Sequence, residues 1–75
     1  MKEIIRILDD IKQGIDYENE KSLVDDGLLD SFDIVMLIGE LEDEYDVKIN
    51  VIDIVPENFN SVQAIYKLIE RLSNE

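Results

Sequence analysis

The hydroxyl of Ser31 is the strongest candidate for a chemical role in this sequence, because the usual catalytic side chains are missing. The 75 residues include no cysteine and no histidine, which excludes disulfides, thiolate and imidazole catalysis, and most zinc sites. Carboxylates, lysines, tyrosines and serines remain, but no nucleophile and base stand in a pattern that builds an enzyme pocket. We therefore expect a protein that is not an enzyme and that holds no metal ion.

Ser31 stands at the point where a loop turns into the most regular helical pattern of the chain. It follows an apolar pair, Leu28-Leu29, and one acid, Asp30. A hydroxyl at this point can cap the helix by accepting a hydrogen bond from an unpaired N–H group of the first turn. It can also be an exposed chemical handle that a rigid helix holds in place. Considered alone, the residue favours the cap, since capping serines are common.

Hydrophobic periodicity predicts the helices that must position this serine. Apolar residues recur at spacings of three and four over residues 2 to about 13, 31 to about 46, and from a cap at Asn60 or Ser61 to about Leu72. Pro56 suits the first position of a short helical turn over residues 56–59.

The predicted fold class is all-α: a small antiparallel four-helix bundle with three longer helices and one short one, forming a single domain over residues 1–75. A long loop over residues 14–29 is expected to be anchored by Leu23, Leu28 and Leu29 and to turn at Gly27. This loop does not match a calcium-binding pattern. Residues 47–51 alternate like a short strand, but the chain offers no second strand to pair with them.

Two features of the second predicted helix are not explained by the core. Phe32, Val35 and Gly39 form a stripe rotated away from the main apolar stripe, so Phe32 and Val35 are expected to stay outside the core. Acidic residues continue into the last turn of the helix, where they face the negative end of the helix dipole. A solvated face and a surface for basic partners both account for these acids.

The charge of the chain limits its partners. The net charge is −12 in 75 residues, so the protein should repel nucleic acids and anionic lipid surfaces and attract basic patches on other proteins. No apolar run approaches the roughly 20 residues that a membrane span needs, and the start of the chain lacks the pattern of a secretion signal. We expect a cytoplasmic protein that does not insert into membranes and is a monomer.

The segment around Ser31 resembles the acyl carrier protein family. Asp30-Ser31-Phe32 is similar to the Asp-Ser-Leu signature of that family, with Phe in place of Leu. The resemblance extends over essentially the whole chain and includes these further motifs: Gly27-Leu28-Leu29, the helix from Val35 through Leu41-Glu42 to Tyr45, Val47-x-Ile49, and Glu57-Asn58-Phe59-x-Ser61-Val62.

The resemblance implies that Ser31 carries a 4′-phosphopantetheine arm, which a phosphopantetheinyl transferase moves from coenzyme A. The terminal thiol of the arm would bear an acyl or aminoacyl group as a thioester. The resemblance also implies partner enzymes with basic patches that load or transfer this group. Their expected contacts are Asp30 and Asp33 beside the serine, Phe32 and Val35 as an apolar patch, and Glu42 and Asp43 as acidic contacts.

Departures from the family pattern leave the pathway open. Phe32 replaces the usual Leu, Met36 stands where fatty-acid carriers often have Glu, Gly39 where they often have Met, and Asn50 where Pro is common. Fatty-acid and polyketide biosynthesis are the expected settings. The Leu-Leu-Asp-Ser-Phe run also resembles D-alanyl carrier proteins, and a peptidyl carrier is a further alternative. A carrier-like bundle that only binds a protein partner, with Ser31 as a helix cap, is the rival from another class.

Overall fold

A computed structural model of the protein describes residues 2–74, in which the chain forms four α-helices, one 3₁₀ turn and no strand. The elements follow in the order α1 (Lys2–Ile11), α2 (Ser31–Tyr45), the 3₁₀ turn (Val51–Asp53), α3 (Pro56–Phe59) and α4 (Val62–Ser73). The predicted all-α bundle with three longer helices and one short helix is therefore confirmed, and the helix ends differ from the predicted ones by at most two residues. The predicted domain bounds include Met1 and Glu75, which lie outside the described residues.

The core forms where the apolar faces of α1, α2 and α4 meet, as the periodicity predicts. α1 packs against α2 and α4, and α4 also packs against α2 and α3. Ile4, Leu8, Leu37 and Ile65 are fully buried at these contacts. Phe59, the large side chain of the short helix α3, is also buried. This packing holds α2 rigidly from its inner face while its outer face stays in solvent.

The loop between α1 and α2 is pinned at both ends. Tyr17 is buried, and its hydroxyl donates to the carbonyl oxygens of Leu8 and Lys12 at the C-terminal end of α1. Burial raises the pKa of Tyr17 to about 12. Further along, Leu23 and Leu29 are buried as predicted and Leu28 is half-buried.

Asn60 ties the second half of this loop to the junction of α3 and α4. Its side-chain oxygen accepts the N–H groups of Val24 and Asp25 at 2.9 and 3.0 Å. Its carbonyl oxygen accepts the N–H of Leu23 at 2.9 Å. The turn that follows has Gly27 at φ 74°, which confirms the positive φ predicted there. The chain therefore enters α2 from a fixed direction.

Ser61 is the N-cap of α4, one of the two caps predicted for this helix. Its side-chain oxygen accepts the N–H of Ala64 at 3.1 Å. A hydroxyl thus acts as a helix cap in this chain, but at α4 and not at the start of α2. In residues 2–74, no helix is both long and apolar enough to cross a membrane.

Candidate functional site

Asp30, not Ser31, caps α2. Asp30 has extended backbone angles, φ −96° and ψ −179°, and its carboxylate accepts the N–H of Asp33 at 2.9 Å. The side chain of Asp33 accepts the N–H of Asp30 at 3.1 Å in return, which completes a capping box. The interpretation of Ser31 as the cap is therefore wrong, because the acid before it already fills the cap position.

The hydroxyl of Ser31 is consequently left available. Ser31 is the first residue of α2 and is exposed to solvent. Among residues 2–74 its side chain makes no hydrogen bond or ion pair. The start of a 15-residue helix also presents a positive dipole end to this oxygen. An accessible, unpartnered hydroxyl on a rigid support can receive a group from an outside enzyme, and an anionic phosphodiester is favoured there.

The capping geometry stabilises the ionised form of the Asp30 carboxyl group. The N–H of Asp33 lowers the pKa of this carboxyl below its ordinary value, and the positive charge of Lys12 adds to the effect. A negative charge therefore stands immediately before Ser31 over the whole neutral range.

An open hollow lies next to Ser31 between α2 and the segment that leads into α3. Its volume is about 520 Å³, and among residues 2–74 its polar lining consists of Asp30 and Ser31. The other lining residues are apolar and include Ile34, Val35 and Ile38 from α2 and Ile54, Val55 and Phe59 from the opposite side. The hollow can accept an apolar group that is attached close to the serine.

The outer face of α2 is apolar beside the serine, as the second stripe predicts. Phe32 is 71 % exposed and Val35 is 66 % exposed, and Met36 adds a partly exposed apolar side chain. Contiguous exposed apolar side chains of this kind are a common feature of surfaces that bind other proteins. The prediction that the core does not cover Phe32 and Val35 is confirmed.

The acids predicted as partner contacts fall into two groups. Asp30 and Asp43 are exposed. Asp33 is only 8 % exposed, and its carboxylate lies 3.5 Å from the ammonium of Lys12. Glu42 is half-buried, and its carboxylate accepts the N–H of Ile49 at 2.9 Å, which fixes the chain after α2. Their role as partner contacts stays a prediction for all four acids.

Sequence reasoning missed the residues on the far side of the hollow and the contact of Lys12. Ile54 and Val55 belong to a connecting segment whose pattern indicated no function, so nothing in the spacing places them beside Ser31. Lys12 lies one residue beyond the end of α1, and only the packing of α1 on α2 brings it to Asp33. In residues 2–74 no group of acidic side chains is arranged to hold a metal ion.

A small helical bundle that presents a free serine beside an acid, an apolar patch and an open hollow has the features of a protein modified and used by other enzymes. Comparison with known proteins agrees with this class. Residues 3–69 match the family described as phosphopantetheine attachment site. The chain belongs to this family of carrier proteins, whose prosthetic group is covalently attached 4′-phosphopantetheine, and the resemblance to carrier proteins is confirmed.

Curated relatives include carriers of two kinds. The acyl carrier protein of Buchnera aphidicola subsp. Baizongia pistaciae is 43 % identical over 53 residues, which cover 71 % of this chain and 65 % of the relative. The D-alanyl carrier protein of Streptococcus gordonii is 30 % identical over 73 residues, which cover 96 % of this chain and 92 % of the relative. A D-alanyl carrier protein of Streptococcus thermophilus has the same identity and coverage. The kind of cargo therefore does not follow from the family.

Proposed function

We propose that Ser31 is the attachment point of the 4′-phosphopantetheine arm and that the protein carries acyl groups on this arm as thioesters. The observation that supports this role is the free hydroxyl at the first residue of α2. Asp30 and Asp33 cap the start of α2, so Ser31 Oγ can react without loss of a structural hydrogen bond.

The attachment is a phosphoryl transfer from coenzyme A. The oxygen of Ser31 forms a bond to the phosphorus that bears pantetheine, and the bond from that phosphorus to the leaving adenosine 3′,5′-bisphosphate breaks. The serine proton passes to a base on the transferase or to solvent. This chain contributes the hydroxyl and its placement, and the arm contributes a thiol, which the chain itself lacks because it has no cysteine.

The hollow supports an acyl cargo over a D-alanyl cargo. Its lining is apolar apart from the two residues at the attachment point, so an alkyl chain gains by leaving water there. A D-alanyl thioester carries an ammonium group at neutral pH, and placing that charge against an apolar lining is unfavourable. The near-complete match to the S. gordonii carrier makes the D-alanyl role the second candidate.

We propose that partner enzymes bind the outer face of α2 next to the arm. Phe32 and Val35 would supply most of the affinity, because exposed apolar groups gain most from burial at an interface. Asp30 and Asp43 would attract basic patches and speed association, in keeping with the net charge of −12. Glu42 is a predicted contact whose carboxylate is already bound to the chain. Function as a monomer in the cytoplasm stays a prediction.

The attachment is tested by intact-protein mass after incubation with coenzyme A, Mg²⁺ and a broad-specificity phosphopantetheinyl transferase. One adduct is expected on the wild-type chain and none on Ser31→Ala. Ser73→Ala removes another exposed serine and is the matched control, which should be modified like the wild type. A wild type that stays unmodified while a control carrier is modified would refute the proposal and favour a bundle that only binds a partner.

The cargo is tested by comparing the arm loaded with octanoate and with D-alanine. The octanoyl form should shift the methyl resonances of Ile38 and Ile54 in NMR spectra, because both residues line the hollow. The D-alanyl form should leave these resonances near those of the unloaded arm. Equal shifts for the two cargoes would remove the preference for an acyl group.

A further inference from the structure

Asp33 differs from the other acids around Ser31 because its carboxylate is turned into the protein. It is 8 % exposed, while Asp30 and Asp43 are exposed. Its Oδ2 atom accepts the N–H of Asp30 at 3.1 Å and lies 3.5 Å from Lys12 Nζ. A carboxylate with this burial and these contacts has little capacity left to bind a partner enzyme.

Lys12, the outer partner of Asp33, is itself held by α1 and its loop. Its N–H donates to the carbonyl oxygen of Leu8 at 2.8 Å. Its own carbonyl oxygen accepts the hydroxyl of the buried Tyr17. A continuous set of contacts therefore runs from Tyr17 through Lys12 and Asp33 to Asp30, the residue before the serine.

These contacts end at Asp30, whose backbone leads directly into Ser31 and so orients it. Asp30 is held by Asp33 through two hydrogen bonds: its backbone N–H donates to the Asp33 carboxylate at 3.1 Å, and its own carboxylate accepts the N–H of Asp33 at 2.9 Å. Ser31 follows directly, and its own side chain makes no hydrogen bond or ion pair among residues 2–74 that could correct a displaced backbone. Transfer of a phosphoryl group needs the attacking oxygen in line with the leaving group, and small displacements of that oxygen cost rate.

We propose that Asp33 is a positioning residue for the modification of Ser31, acting through Asp30 and Lys12 inside the protein rather than through contact with the partner enzyme. This inference rests on the proposed attachment at Ser31. It replaces the contact role predicted for Asp33 with an internal one, and the two roles give opposite kinetic results.

The test measures kcat and KM of the transferase for carrier variants at low and high salt. Asp33→Asn keeps an oxygen that can accept the N–H of Asp30 but loses the charge. Asp33→Leu loses both. The positioning role predicts that Asp33→Leu lowers kcat by about tenfold or more with little change in KM. Asp33→Asn should retain kcat within about threefold and keep the salt dependence of the wild type.

Two further variants complete the comparison. Lys12→Met removes the outer contact and should lower kcat by about twofold to threefold, since Asp33 then keeps its bonds to Asp30. Glu70→Gln removes one negative charge from the exposed face of α4 and is the charge control, which should match the wild type. Circular dichroism melts of every variant show that each is folded at the assay temperature. If Asp33→Leu is not folded there, the Asn and Met variants decide.

The contact role predicts a different pattern, which would overturn the inference. Asp33→Asn would then raise KM as much as Asp33→Leu. The difference in KM between variant and wild type would shrink at high salt, because screening weakens the attraction in the wild type as well. Lys12→Met would not slow the reaction. If the wild type is not modified, the proposed function itself is refuted. If the wild type is modified but the variants follow the pattern of the contact role, only the positioning role is refuted.

Discussion

The start of α2 and the 3₁₀ turn are built in the same way, yet only the start of α2 carries a reactive group. In each region a residue with extended backbone is followed by two exposed residues and then by a buried aspartate, Asp33 in one and Asp53 in the other. Asp53 accepts the N–H of Asn50 at 3.3 Å, as Asp33 accepts that of Asp30 at 3.1 Å. A buried carboxylate three residues on thus fixes both turns.

Each buried aspartate also meets a basic side chain from a distant part of the chain. Arg71 of α4 lies 3.0 Å from Asp53, and Lys12 lies 3.5 Å from Asp33. The 3₁₀ turn is further tied to α3, because Asn58 donates its side-chain N–H to the carbonyl oxygen of Asp53 at 2.8 Å. The contact of Lys12 with Asp33 is longer than that of Arg71 with Asp53, whereas the bond from Asp30 N–H to Asp33 is shorter than that from Asn50 N–H to Asp53.

The two regions differ in what they expose. Val51, 83 % exposed, occupies the place in the 3₁₀ turn that Ser31 has in α2, so that turn offers no hydroxyl. Asp30 caps its helix with its side chain, whereas Asn50 makes no side-chain cap. The lesson is that the buried aspartate sets the backbone, and the residue two places before it decides whether the turn can be modified.

The largest effect is expected at the 3₁₀ turn. Asp53→Ala leaves Arg71 and the N–H of Asn50 without this carboxylate, and it should cost about 2–3 kcal/mol of unfolding free energy. Urea denaturation measures the loss, and Asp53→Asn, which keeps one acceptor, should lose less. Ser31 should still be modified below the melting temperature. Loss of Ser31 modification in folded Asp53→Ala would contradict the expectation that the two regions act independently.

The next effect sharpens the difference between the caps. Asp30→Ala should lower stability and Asn50→Ala should change it much less, since only Asp30 accepts a capping N–H through its side chain. The same bond lowers the pKa of Asp30 when the protein is folded. Its stabilising effect is therefore full above the unfolded pKa, about 3.9, and is lost as the pH falls through the lower folded pKa.

Acid unfolding of Asp30→Asn measures this contribution. The wild type should lose stability more steeply than the variant below about pH 4, because only the wild type must protonate the carboxylate at residue 30 that accepts the N–H of Asp33. Asn50→Asp is the converse control, and its loss of stability at acid pH should stay close to that of the wild type. If the wild type and Asp30→Asn lose stability identically at acid pH, the assignment of Asp30 as the N-cap of α2 is contradicted.

The smallest effect is expected in the helix that joins the two regions. Gly39 is exposed, and a Cβ atom built on it meets nothing within 4 Å. Gly39→Ala should therefore raise the unfolding free energy by about 0.5–1 kcal/mol, because alanine loses less backbone freedom in a helix. Urea denaturation tests this, and modification of Ser31 should keep the wild-type rate. A loss of stability would show that alanine disturbs α2 in some other way.

Most of the fold and part of the site could be predicted from residue spacing. Periods of three and four located the helices, and the second stripe indicated that Phe32 and Val35 lie outside the core. The family motifs directed attention to Ser31. Helix capping was one of the two roles that the sequence left open for Ser31, and this role is wrong. A serine and an aspartate side by side are both good caps, and local sequence does not choose between them. Backbone angles at Asp30 made the choice.

Contacts between distant segments could not be predicted in this way. Lys12 and Asp33 are 21 residues apart, and Arg71 and Asp53 are 18 apart. Nothing in their local patterns distinguishes these acids from the many that stay in solvent. The apolar lining opposite Ser31 also comes from a segment that forms no long helix, so its periodicity carried no signal.

By itself the sequence determined that the protein has helices of these lengths, a strongly acidic surface, no thiol or imidazole, and a serine before an exposed apolar stripe. These properties depend on composition and on neighbours within a few turns, where period and capping preference act. The tertiary structure alone decided which acids are buried and where the hollow lies. Each of these depends on how α1, α4 and the segment before α3 pack against α2, and side chains far apart in the chain meet only through that packing.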